Sequence, residues 1–183
     1  MSTRKLFPAL FMAALLLLPA TALATTVDLP EFGVVLHFPA SLDVFTRSMD
    51  MDDPVPALYG TTPQAVREEL AGAGLYAKAY DVAGAFTITL ALKYTDQPAL
   101  DSLDAEGLRQ AARALGGEEY ELVGTRQGSF LLVREQGGKA ASALFQGGRL
   151  WMKLRLQAVS HVDSGMLSLL RGILRQAEFT LGQ

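Results

Sequence analysis

Between Tyr120 and Ala158 the chain is cut into short apolar stretches by glycine-rich breaks, and that spacing predicts an antiparallel meander. The stretches are Tyr120 to Gly124, Ser129 to Glu135, Lys139 to Phe145 and Leu150 to Ala158. Gly137-Gly138 and Gly147-Gly148 separate the last three. Glycine enters the positive-φ region without a side-chain clash, so such pairs suit the apex of a tight hairpin. In the final stretch Leu150, Met152, Leu154 and Leu156 alternate with Trp151, Lys153, Arg155 and Gln157. A period of two puts the first set on one face of a strand and the second set on the other.

Upstream, Val34, Leu36 and Phe38 alternate with Val35 and His37 until Pro39 stops the run, and Asp43 to Arg47 follows as a second strand. Leu75 to Tyr80 and Phe86 to Lys93 read as strands joined across Val82-Ala83-Gly84-Ala85. Thr62 is placed as an N-cap with Pro63 at the first helical position, and Val66 and Leu70 share a face. Asp104 starts a second helix, with Leu103 and Leu108 spaced for a hydrophobic staple. A third follows Asp163 or Ser164 and carries Met166, Leu169, Leu170, Ile173, Leu174 and Ala177 on one stripe. Hairpins interrupted by helices, without βαβ units, predict an α+β fold: a mainly antiparallel sheet flanked by about three helices. No repeat, low-complexity linker or composition shift divides residues 25–183, so a single globular domain is expected there.

The first 24 residues have a different character. Arg4 and Lys5 are the only charges before Asp28, and they precede the apolar run Leu6 to Leu18. Pro19 and the small-residue stretch Ala20-Thr21-Ala22-Leu23-Ala24 follow. This is the order of a secretory signal peptide, with cleavage expected after Ala24 and export to the cell envelope, periplasm or exterior. An uncleaved N-terminal anchor is the alternative, because Leu6 to Ala24 is nearly long enough to span a bilayer. The remaining 159 residues suffice for a real hydrophobic core without disulfides, and the chain has no cysteine. It has no asparagine either, so N-glycosylation is impossible, and the combination fits a bacterial exported protein. Losing two basic residues with the leader moves the net charge from −3 to −5. An acidic product is a poor match for nucleic acid, and no membrane insertion is expected after the leader is removed.

Phe32-Gly33-Val34-Val35-Leu36-His37-Phe38-Pro39 resembles the opening of PsbP-like domains, an aromatic-glycine strand ending in an apolar residue and proline. The segment from Phe145 through Leu156, and then Leu170 to Phe179, is similar to that family's last hairpin, last strand and C-terminal helix ending in Phe. The resemblance implies an α-β-α sandwich without catalytic residues. Known members are extrinsic subunits, assembly factors or partner-binding modules.

Residue constellations point the same way. His37 and His161 are the only histidines, and neither has a second histidine nearby at ligand spacing, so no metal or other cofactor is expected. Ser164 lacks a nucleophile-elbow context, and its position beside Asp163 reads as helix capping. Asp50, Asp52 and Asp53 lack the later glycine and glutamate of a calcium loop and read as a solvated cluster. Gly72-Ala73-Gly74-Leu75-Tyr76-Ala77 matches a dinucleotide fingerprint on paper, but the helix precedes it and the strand follows, the reverse of what that site needs. The stripe Trp151, Lys153 and Arg155 is either a solvated strand face, with the indole tucked under a helix, or a contact surface for an acidic partner or glycan. Tyr59 joins the three as a candidate partner contact. The expected function is a non-catalytic binding or assembly module whose partner is another envelope or secreted protein. The alternative is an exported hydrolase whose acids and bases converge only in the fold.

Overall fold

The structure, a computed structural model, describes residues 25–180; the expected leader lies outside them. The meander forms as expected. β6 (Tyr120–Gly124), β7 (Ser129–Arg134), β8 (Ala140–Gly147) and β9 (Leu150–Ala158) pair in succession. β3 (Leu42–Thr46), β4 (Ala77–Asp81) and β5 (Phe86–Tyr94) extend the sheet from the far side of β9. The order is β3-β4-β5-β9-β8-β7-β6, and every neighbour is antiparallel. One hairpin differs from expectation by a residue. Gly147 pairs with Leu150, so the two-residue loop is Gly148-Arg149 rather than Gly147-Gly148. Both loop residues have positive φ, +55° and +67°, as a type I′ turn requires.

The alternation in β9 sorts the two faces of this sheet. Leu150, Met152, Leu154 and Leu156 are fully buried, and side chains on paired antiparallel residues share their face. That face carries Ile88, Leu90, Phe145, Ala143 and Ala79. Full burial of each leucine or methionine is worth about 1.5–3 kcal/mol, so this face anchors the fold. It is covered by two elements. One is α4 (Ser164–Arg175), which sends down Leu170, Ile173 and Leu174. The other is a small second sheet of β1 (Thr25–Leu29), β2 (Val34–Phe38) and β10 (Glu178–Phe179), with β2 in the middle. Its Val27, Leu36, Phe38 and Phe179 complete the same core. The C-terminal segment through Phe179, read from the sequence as the end of a helix, is therefore a strand after the helix has closed at Gln176.

The opposite face is covered only towards its two ends. α2 (Pro63–Gly72) packs Val66 and Leu70 on Phe45, with Met49, Val55 and Leu75 around them. A one-turn α1 (Val55–Leu58) leads into it. A 3-10 turn (Leu100–Ser102) and α3 (Ala105–Ala114) place Leu100, Ala112 and Leu115 on Leu131, Val133 and Leu144. The helix starts are the expected ones. Thr62 Oγ1 accepts from the Ala65 amide at 3.2 Å, Asp104 from Gly107 at 2.8 Å and Asp163 from Met166 at 2.8 Å. The architecture is α+β. Its layers are a strand-and-helix cover, the large antiparallel sheet, and two helices on the far side.

Candidate binding face

With α2 over β3 and β4 and α3 over β7 and β8, the middle of the helical side of the sheet is left to polar side chains. The register lines them up in rows, with neighbours about 4.8 Å apart in the pairing direction. Lys78, Thr89, Arg155 and Ser142 form one row across β4, β5, β9 and β8. Ala91 and Lys153 stand in the next, beside Leu144, and Lys93, Trp151 and Gln146 in the one beyond. Trp151, Lys153 and Arg155 thus share one face, as their alternation required, and all three are half-buried.

Their surroundings assign them different work. The Arg155 guanidinium donates from Nε and Nη2 to the two oxygens of Glu135, each at 2.8 Å, and the Ser142 hydroxyl donates to Glu135 Oε1 at 2.7 Å. The hydrogen bond from Arg155 chiefly, opposed by burial and helped by Ser142, holds the Glu135 carboxyl below the usual carboxylate range. Arg155 is therefore a fixed part of the sheet. Lys153 has no ion-pair partner among the described residues. Trp151 packs against the α3 cluster and carries the Lys93 ammonium 4.8 Å from its ring centre. The stripe open to a partner is therefore Lys93, Trp151 and Lys153.

Tyr59 stands on the same side of the sheet but at its β3–β4 end. Its ring lies 4.9 Å from that of Tyr80 and 5.4 Å from that of Phe45, and β5 separates Tyr80 from β9. The Tyr59 hydroxyl donates to Asp43 Oδ2 at 2.7 Å. Loss of solvent and that hydrogen bond push its pKa up to about 12. Lys78 lies between the two groups, 2.9 Å from Glu69 and 4.9 Å from the Tyr80 ring centre. Lys93 could have been added from the sequence, since it continues the polar alternation of Thr87, Thr89 and Ala91. Glu135 and Ser142 could not, because their meeting with Arg155 depends on the register of three strands.

The remaining candidates stay apart. His37 Nδ1 is 3.2 Å from Thr26 Oγ1 and its Nε2 is 3.4 Å from Glu178. No hydrogen bond among the described residues joins His161 to Ser164, and Asp163 caps α4. Asp53 accepts from the Val55 amide at 2.8 Å. Among the described residues no group of three or more His, Asp or Glu side chains could hold a metal ion. No helix there is long and apolar enough to cross a membrane.

No family model matches the chain, and no curated relative matches it. Among solved structures it is similar to cyanobacterial PsbP from Synechocystis sp. PCC 6803, whose solution structure has a TM-score of 0.49 to it. Identity is 10%, with 86% of this chain and 93% of that chain covered.

Proposed function

We propose that the mature chain is an exported, non-catalytic binding or assembly module that holds an acidic envelope or secreted protein on the helical side of its large sheet. The observation that carries this reading is the stripe of Lys93, Trp151 and Lys153, in which two cations without ion-pair partners among the described residues flank a half-buried indole at the edge of the α3 cluster. Half-buried tryptophan beside unpaired cations is the composition of an interface centre, where aromatic anchors supply affinity and charge selects the partner. A lysine over a ring that is still in contact with water contributes only about 0.5–1 kcal/mol and gains when a partner removes the water. The neighbouring groups support a non-catalytic role. Glu135 is saturated by Arg155 and Ser142, and the Tyr59 proton is held by Asp43, so neither is poised to exchange protons near neutral pH. Export rests on the order Arg4-Lys5, Leu6 to Leu18 and Ala22-Leu23-Ala24.

The test is the native size of the protein in gently extracted envelope fractions. Wild type should migrate in a complex larger than the free chain, and Lys93→Glu with Lys153→Glu, two side chains without ion-pair partners among the described residues, should release it at an unchanged thermal midpoint. A free wild-type chain, or a complex indifferent to both substitutions, would contradict the proposal.

A further inference from the structure

A recess of about 570 Å³ opens on the other side of the large sheet, where β2, the β6–β7 turn, the end of α4 and β10 meet. Arg126 enters it from the turn and Arg175 from the last turn of α4. Neither guanidinium has an ion-pair partner among the described residues. The one lining carboxylate, Glu178, faces His37 at 3.4 Å. Two like charges lining one recess repel each other, and in a chain of net charge −3 this local excess is selective for a negative ligand. Gln127, Gln176 and Thr180 add neutral donors around the same space.

The frame is firm. The Thr125 amide and hydroxyl both donate to the Gly128 carbonyl, at 2.8 and 2.7 Å, which fixes the turn bearing Arg126. The Thr180 amide donates to Gly33 at 2.7 Å, which fixes the end of β10. A planar carboxylate is satisfied by a single guanidinium fork. Guanidinium and amide donors brought in from separate elements suit the several oxygens of a tetrahedral phosphate group. Glu178 and the carbonyl end of α4 oppose an anion, but a carboxylate already turned to His37 and a partial dipole charge are the smaller side of the balance against two guanidinium groups. We propose that this recess binds a phosphate group, free or carried as a phosphomonoester.

Calorimetric titration of the purified chain with inorganic phosphate, glycerol 3-phosphate and sodium acetate at constant ionic strength tests it. Phosphate or the ester should bind, and acetate should not. Arg126→Gln and Arg175→Gln should each weaken binding by about tenfold, the size of one charge-assisted hydrogen bond. Glu178→Gln should tighten it. Binding of inorganic phosphate alone would identify the free ion as ligand, and binding of the ester alone would identify the esterified group. Absence of binding by both, equal binding of acetate, or unchanged affinity in the two arginine variants would overturn the proposal.

Discussion

Glu135 and Arg155 face each other across β8, joined by two parallel hydrogen bonds of 2.8 Å, and Ser142 of that intervening strand donates a third at 2.7 Å. One carboxylate therefore ties β7, β8 and β9 together. Glu135→Ala would leave the fully buried Ser142 hydroxyl and the half-buried guanidinium without their acceptor, costing about 1–3 kcal/mol. The carboxyl is held low by Arg155 first, so its contribution is present above the ordinary value of about 4.3. That contribution is lost as pH falls through the lower folded value. Urea unfolding between neutral pH and pH 3 should show a smaller acid-dependent loss in Glu135→Gln than in wild type. Identical profiles would show that the pair contributes nothing.

α4 is a packing element. Leu170 and Ile173 are buried in the main core, and Arg171 on the outer side of the helix is 2.7 Å from Glu121 on β6. Leu170→Ala or Ile173→Ala should cost about 2–5 kcal/mol from lost transfer energy and the cavity left behind. Chemical denaturation reads this directly. Unfolding at the wild-type midpoint would mean that the helix does not hold the core.

Arg149 is the one non-glycine residue among those described with positive φ. The left-handed region costs a side-chain-bearing residue roughly 1–2 kcal/mol, against about 0.5–1 kcal/mol of extra chain entropy for glycine. Its pair with Asp96, at 3.4 Å between two highly exposed side chains, adds almost nothing. Arg149→Gly should therefore raise the thermal midpoint by a few degrees. A fall would show that the side chain makes a contact worth more than the strain.

Processing is expected between Ala24 and Thr25. β1 pairs Thr25 with Phe38, so a cut after Ala24 keeps all five described residues of that strand. N-terminal sequencing of exported material should read Thr25 first. Intact Met1 on membrane-bound protein would favour the anchor.

The strands and helix starts that showed in the sequence are those whose cause is local. Leu150 to Ala158 alternates because one face meets the core, and Thr62, Asp104 and Asp163 cap helices within three residues of themselves. β1 and β10 did not show. β1 is a five-residue edge strand, and Glu178–Phe179 owes its conformation to Val34 and Val35 at the far end of the chain. The division into two sheets follows from those same two strands. Of the candidate contacts, Trp151, Lys153 and Arg155 were placed correctly on one face by alternation. That Arg155 is locked by Glu135, and that Tyr59 is tethered to Asp43 at the other end, emerges only once distant strands are set in register.

Site-specific photo-crosslinking in the producing cells reads occupancy of the Lys93, Trp151 and Lys153 face. A photoreactive residue is placed at Lys153 or Thr89 on the uncovered face, and at Arg113 on exposed α3 as a control. One discrete adduct is expected from positions 153 and 89, lost when Lys93→Glu is added, and none from position 113. No adduct from the sheet face, or the same adduct from all three positions, would contradict the proposed binding face.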